Sequence, residues 1–139
     1  MIKLTRAYRF SASHRLHAPA LSDDENRETY GKCNNPYGHG HNYALEVTVE
    51  GPVNADTGRV CNPATLDRLV TQCVLENFDH ANLNEQAQEF QSLVPTTENL
   101  AIVIAGRLRR EWKSAFEGEW PRLGCIRVRE TKRNTFEYR

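Results

Sequence analysis

Apolar and polar residues alternate from the first residues of the chain. Ile2, Leu4, Tyr8, Phe10, Ala12 and His14 fall on even positions, with Arg6 among them. A period of two with one mostly apolar face is the pattern of a half-buried strand. Ile2–His14 is therefore expected to be extended. The alternation returns from His39 to Gly51, where Tyr43, Leu45, Val47 and Val49 oppose Ala44, Glu46, Thr48 and Glu50. Residues 17–38 show no period and carry Pro19, Gly31, Pro36, Gly38 and the polar run Asp23–Asn26. They read as one long loop, and loops of that length in compact domains tend to carry function. The turn residues Asn54–Gly58 predict a hairpin into a short strand at Arg59–Cys61.

The period then changes to that of a helix. Asn62-Pro63 supplies a capping residue and a proline for the first helical position. Leu66, Leu69, Val70, Cys73 and Val74 follow as one apolar stripe. A second helix is expected to open at Thr96-Thr97-Glu98, with Leu100, Ala101, Ile104, Leu108 and Trp112 on its buried side. Two final strands fall near Cys125–Glu130 and Thr135–Tyr138. The order β-β-β-α-α-β-β describes one α+β domain over residues 1–139, with mainly antiparallel pairing. Such a sheet is open, and its edges must be covered, charged or paired with another subunit.

Composition narrows the class. The 139 residues carry 18 basic and 18 acidic side chains, a formal net charge of zero. That balance argues against holding nucleic acid by bulk electrostatics. No apolar run reaches the ~20 residues of a membrane-spanning helix. The first residues show no apolar secretory core, so the expected setting is cytoplasmic. The four cysteines form no Cys-x-x-Cys pair, which disfavours a zinc ribbon. They are expected as free thiols.

The histidines carry the first chemical signal. His39 and His41 are two residues apart on a strand, so both imidazoles share the face of Tyr43 and Leu45. His14 ends the first strand with the parity of Phe10. Three histidines and one open position form a catalytic zinc arrangement. Taken singly, each reads more readily as a hydrogen-bonded core or loop residue than as a ligand; the His39-x-His41 pair brings the two readings level. Cys33 precedes His39 by six residues in the loop. It reads as an activated thiolate beside a metal, as a fourth ligand, or as an inert loop cysteine. Asp79-His80 reads as a base with its orienting carboxylate, or as a charged helix end. Glu130 shares the parity of Ile126 and Val128. A carboxylate on that face needs partners, and a planar ring with adjacent N–H donors provides two. The alternative is a strand-end residue turned to solvent. Glu98 suits the N-terminus of its helix. Arg107–Arg110 and Lys132-Arg133 read as solvated faces, or as contacts for a triphosphate.

Taken together, these blocks resemble the 6-pyruvoyltetrahydropterin synthase family, which includes the 6-carboxytetrahydropterin synthases. The resemblance rests on Phe10–Leu16, Gly31–Tyr43, Asp79–Asn84, Pro95–Asn99 and Glu130-Thr131, in the family's order along nearly the whole chain. The Cys33-Asn34-Asn35-Pro36-Tyr37-Gly38-His39-Gly40-His41-Asn42-Tyr43 block is the most specific. The resemblance implies a tunnelling fold, a four-stranded antiparallel sheet with two helices on one face. Three subunits close its barrel and two rings stack into a homohexamer. Arg59–Cys61 then continues the hairpin. It implies Zn2+ on His14, His39 and His41, and a catalytic triad of Cys33 with Asp79 and His80 from a neighbouring subunit. Glu130 becomes the pterin anchor, and Thr96, Thr97 and Glu98 line the pterin pocket. The implied substrate is 7,8-dihydroneopterin triphosphate. The reaction combines Lewis-acid activation of the side-chain hydroxyls, proton removal by the Cys33 thiolate and proton relay by His80.

Two products are open on this scaffold. One is 6-pyruvoyltetrahydropterin, toward tetrahydrobiopterin. The other is 6-carboxytetrahydropterin, formed with loss of acetaldehyde, toward queuosine and other 7-deazaguanines. The loop His17–Ser22 and the spacing of Cys33 from His39 favour the first. A non-catalytic pterin- or zinc-binding module is the contrasting class, and it would not need Cys33, Asp79 and His80 together. A zinc deaminase is disfavoured, because its His-x-Glu and Pro-Cys-x-x-Cys signatures are absent.

Overall fold

The computed structural model describes all residues, Met1–Arg139. Strand β1 (Ile2–His14) pairs antiparallel with β2 (His39–Gly51) over their full lengths, from Ile2 opposite Gly51 to His14 opposite His39. The far side of β2 pairs with β4 (Arg122–Arg129), which pairs with β5 (Thr135–Tyr138). The two-residue strand β3 (Ala81–Asn82) runs parallel to β1 beside Ala12 and Ser13. The sheet order is therefore β3-β1-β2-β4-β5.

The alternation in sequence becomes burial in space. Phe10, Tyr43, Leu45, Val47, Val49, Ile126 and Val128 turn to one face of the sheet and belong to a single core. Helix α2 (Pro63–Val70) adds Leu66, Leu69 and Val70 to that core. Its start is the expected one, with the Asn62 side-chain oxygen accepting from Ala64 N at 3.0 Å. The helix continues through a π-helical turn at Thr71–Leu75 into α3 (Glu76–Phe78). Helix α5 (Thr97–Ala115) buries the predicted stripe of Leu100, Ala101, Ile104, Leu108 and Trp112. Thr96 caps it, accepting from Asn99 N at 3.2 Å. Between them lie α4 (Leu83–Gln86) and a 3₁₀ turn at Gln88–Gln91. No helix is long and apolar enough to cross a membrane.

Besides α4 and the 3₁₀ turn after it, the fold differs from the sequence reading in three regions. The expected loop at 17–38 contains α1 (Asp23–Tyr30) and a 3₁₀ turn at Gly31–Asn34. Helix α1 is polar nearly all round, so it has no apolar period. It is held by a capping box between Ser22 and Glu25, and by Asn26. That buried side chain donates to the carbonyls of Ala18, Leu21 and Ser22 and accepts from Ala18 N. The expected strand at Arg59–Cys61 is absent. Asn54 N donates to Arg59 O at 2.9 Å and closes the turn, but β2 is already paired on both sides and offers the returning segment no edge. The third difference is β3 itself, a fifth strand fixed by tertiary pairing.

One ion pair ties the segment after α4 to the core. Arg107 donates to both Glu89 oxygens, at 2.6 and 2.7 Å, and lies 4.6 Å over the Phe78 ring. The hydrogen bonds from Arg107 hold the Glu89 carboxyl below its ordinary range. A carboxylate of lowered pKa contributes stability above that range and loses it as pH falls through the lowered value. Glu89→Gln should cost about 1–2 kcal/mol at pH 7. In urea unfolding, the difference from wild type should shrink below about pH 4. A difference that persists at low pH would rule out the charge as its source.

Candidate metal centre

The β1–β2 register assembles the site. His14 faces His39 across the ladder, and His41 faces Ala12. The His14 and His41 ring centroids are 4.8 Å apart, and those of His39 and His41 are 4.6 Å apart. Three of the sequence-predicted residues thus meet on one end of the sheet. Glu130 follows β4 and turns inward, as its parity requires. Its side chain is 16% exposed, and Oε1 lies 3.1 Å from His41 Nε2 and 3.8 Å from His14 Nε2. The 3₁₀ turn brings Cys33 Sγ to 3.8 Å from His41 Nε2. Donor atoms of His14, Cys33, His41 and Glu130 all lie within 4.8 Å of one another. His39 adjoins this set through His41.

His14 tests whether the cluster suits a metal ion. Its ring is fully buried. Nδ1 lies 2.9 Å from Pro95 O, and a carbonyl can only accept, so Nδ1 carries the proton. Nε2 is then a bare lone pair. It is buried with no hydrogen-bond partner and faces His41 and Glu130. An orphaned acceptor is costly in a core, and a metal ion satisfies it. A backbone carbonyl fixing the second ring nitrogen is the usual outer support of a metal-bound imidazole. Ligands ~2.0–2.3 Å from a tetrahedral centre lie about 3.3–3.8 Å apart, so the cluster needs only small closure. The nitrogen, sulfur and carboxylate donors fit a divalent transition-metal ion.

The electrostatics agree. Burial, reinforced by the His41 charge, pushes His14 down to about 4. Burial lowers His41 as well, against the attraction of Glu130. Metal ligation requires neutral imidazoles, and these are neutral at neutral pH. Burial, with Glu130 adding to it, pushes the Cys33 thiol up.

Asp79 and His80 lie elsewhere. The turn before β3 places them against Ser11. Asp79 Oδ1 accepts from Ser11 N at 2.9 Å, and His80 N donates to Ser11 O at 2.6 Å. His80 has a φ of 59°, a strained value for a side chain of its size and one that tends to persist where it serves function. Its imidazole is 83% exposed, and Nε2 is 3.6 Å from Asp79 Oδ2, beyond hydrogen-bond range. Both residues line a groove of about 790 Å³ together with Glu130 and Arg129. Neither is hydrogen-bonded to Cys33 within the chain. Thr96 is occupied as a cap, Thr97 Oγ1 is buried without a partner, and Glu98 is exposed.

Sequence reasoning missed Pro95 and Tyr43 as parts of this site. Tyr43 Oη lies 3.3 Å from His14 Nδ1, although its position in the alternation marked it only as core. Asn34 and Asn84 were missed too. Asn34 Nδ2 donates to Leu16 O at 2.7 Å, and Asn84 accepts from Arg15 N at 2.7 Å. Nothing in their spacing could have revealed these contacts.

A metal-type cluster at one end of a mainly antiparallel sheet, with helices on one face and both edges open, defines a tunnelling-fold protein. The chain belongs to the 6-pyruvoyl tetrahydropterin synthase family, whose model matches residues 3–139. It is similar to the 6-pyruvoyl tetrahydrobiopterin synthase of Poecilia reticulata, 44% identical over 98% of this chain and 88% of that protein. The Drosophila melanogaster protein of the same name is 43% identical over 98% and 78%. The solved structure of Caenorhabditis elegans 6-pyruvoyl tetrahydropterin synthase superposes with a TM-score of 0.88 at 40% identity, covering 99% of this chain and 94% of that one.

One equivalent of divalent transition metal per chain should bind and raise the melting temperature. His41→Ala, at a partly exposed position, should weaken binding at least ~100-fold while leaving the metal-free melting temperature within a few degrees. Equal metal affinity in wild type and variant, read by competition with a chelating dye, would remove the cluster as the binding site.

Proposed function

We propose that the chain is a zinc-dependent lyase converting 7,8-dihydroneopterin triphosphate to 6-pyruvoyltetrahydropterin with release of triphosphate. The observation that carries this reading is the buried His14 Nε2, left without a partner and facing His41 and Glu130 beside the Cys33 thiol. It sits in a chain that aligns nearly end to end with synthases of that name.

In this reading His14, His39 and His41 hold the ion, with Cys33 and Glu130 at its open side. Zinc suits imidazole donors at a site with an open position. When bound there it supplies Lewis acidity to the substrate's side-chain hydroxyls, making the neighbouring C–H bonds more acidic. Glu130 accepts paired N–H bonds from the pterin ring, and the unpartnered Thr97 hydroxyl is available to the same ring. Cys33 removes a carbon-bound proton as a thiolate. Its own surroundings raise its pKa, so it needs a cation beside it. The metal and an imidazolium both serve. Asp79 and His80 of the partner subunit supply the imidazolium, and the exposure of His80 suits a role across an interface. Electrons pass from the side-chain carbinols to the ring as triphosphate leaves, so no redox cofactor enters the balance. The open edges at β3 and β5 support assembly of subunits into a closed barrel, and stacking of two such rings gives the hexamer.

Product analysis tests the reading. The zinc-loaded protein, incubated with 7,8-dihydroneopterin triphosphate, should yield the pyruvoyl product by mass spectrometry and no acetaldehyde. A carboxy product with acetaldehyde would move the chain to the 7-deazaguanine route. Cys33→Ala should lower kcat by ~10²–10⁴-fold, the range of a positioned base, while metal and pterin binding persist. Glu130→Gln should weaken pterin binding by about tenfold or more, as loss of a charge-assisted pair requires. Pterin binding unchanged by Glu130→Gln would remove it as the ring anchor.

A further inference from the structure

A second groove, of about 500 Å³, opens on the far side of His39, between that residue, α1 and the 3₁₀ turn. Its charged lining is Arg15, Arg27 and Lys32 against the single carboxylate of Asp23. Arg27 pairs with Asp24 on its own helix. Lys32 is exposed and takes part in no ion pair, and the Arg15 guanidinium donates only to Asn34 O, at 3.2 Å. Two of the three cations therefore face the groove without a carboxylate. Such a collection repels itself and favours a polyanion.

The register sets this groove in line with the site. Arg129 pairs with Ala44, so Glu130 stands at the level of Tyr43. Along β2 the order is then Glu130, His41, His39 and the cationic groove. From Tyr43 to His39 is four residues, about 13 Å of strand. A flat ring at Glu130, with its side chain across the imidazoles, thus has its far end delivered past His39.

We infer that this groove receives the triphosphate tail of the substrate, with Lys32, Arg27 and Arg15 as its clamp; the inference rests on the pterin triphosphate reading above. Guanidinium and ammonium groups are the usual partners of phosphate oxygens, Arg by paired donors and Lys as a point charge. The clamp is also coupled to the chemistry. Leu16 N donates to Cys33 O at 2.7 Å, and Asn34 Nδ2 returns to Leu16 O at 2.7 Å. The segment bearing Arg15 is thereby stapled to the turn that carries Lys32 and Cys33. Holding the tail positions the thiol as well as the leaving group. The three cations are positioning residues in this scheme. The groove beside Glu130, with Arg9, Arg129 and Lys132, is the competing location.

Inorganic tripolyphosphate is the probe, used with the zinc-loaded full chain. Calorimetry should show binding to wild type. In Arg27→Gln/Lys32→Gln the affinity should fall at least tenfold, and KM for the triphosphate substrate should rise by a similar factor. Binding of the dephosphorylated pterin, neopterin, should not change. Lys32→Arg should restore most of the loss, which a merely structural effect on the turn would not predict. Unchanged tripolyphosphate affinity in the double variant, with a loss in Arg9→Gln/Lys132→Gln instead, overturns the assignment, as does absence of binding to wild type. The two readings separate cleanly. A wild-type protein that binds tripolyphosphate through Lys32 but does not turn over substrate keeps the clamp and loses the lyase. Normal turnover with unchanged KM in the double variant keeps the lyase and loses the clamp.

Discussion

The bond from His14 Nδ1 to the Pro95 carbonyl, 2.9 Å long and wholly buried, organises the site. It joins the end of β1 to the residue that precedes the Thr96 cap of α5. It also fixes which nitrogen carries the proton, and so leaves Nε2 bare. The sheet and the long helix are thereby locked to one another at the point where the metal-type donors converge. A histidine with a freely chosen tautomer would satisfy itself with Glu130, and the cluster would be a local hydrogen-bond network. With Nδ1 already committed, the unmet acceptor stays in place and gives the cluster its chemistry.

Much of this was legible in the sequence because it follows from parity. A period of two fixes which residues of one strand share a face, so His39 and His41 could be placed together, and His14 and Glu130 each on the apolar side of its own strand. That these strands pair and bring the four side chains to one point is settled by the register. The helices over Pro63–Val70 and Thr97–Ala115 were legible from their caps and stripes. What escaped was structure without an apolar period. Helix α1 exposes almost everything except Asn26, and only the Ser22-x-x-Glu25 spacing marked it. Strand β3 is two residues long and exists because Ser11 pairs with Asp79 and His80. The missing strand at Arg59–Cys61 is the converse case. Its turn chemistry was right, but local sequence cannot report that both sides of β2 are already taken.

The same limit explains the division of the candidate site. Residues on the β1–β2 ladder meet through a pattern that the sequence states. Pro95 and Tyr43 meet the His14 ring through single long-range contacts that it does not state, and Asn34 ties the turn to the segment after β1 through Leu16. Cys33 stands between the two cases. Its loop was marked as functional, yet only the 3₁₀ turn and the Leu16–Cys33 bond bring its sulfur beside His41.

The raised Cys33 thiol and the exposed His80 belong to one physical argument. Within the chain, burial and Glu130 keep the thiol protonated, while a strained, solvent-facing imidazole waits at the β3 edge. An edge strand exposes unpaired backbone groups and calls for a partner. If a second subunit covers that edge in the proposed assembly, the two deficits are met together. The edge is satisfied, and an imidazolium is delivered beside a thiol that its own chain keeps protonated. The backbone strain at His80 is then the cost of presenting its ring outward instead of folding it against its own Asp79. A subunit alone would hold the metal donors and the Cys33 base but not the imidazolium that joins the metal in activating it, so assembly and reactivity would be set by the same surface.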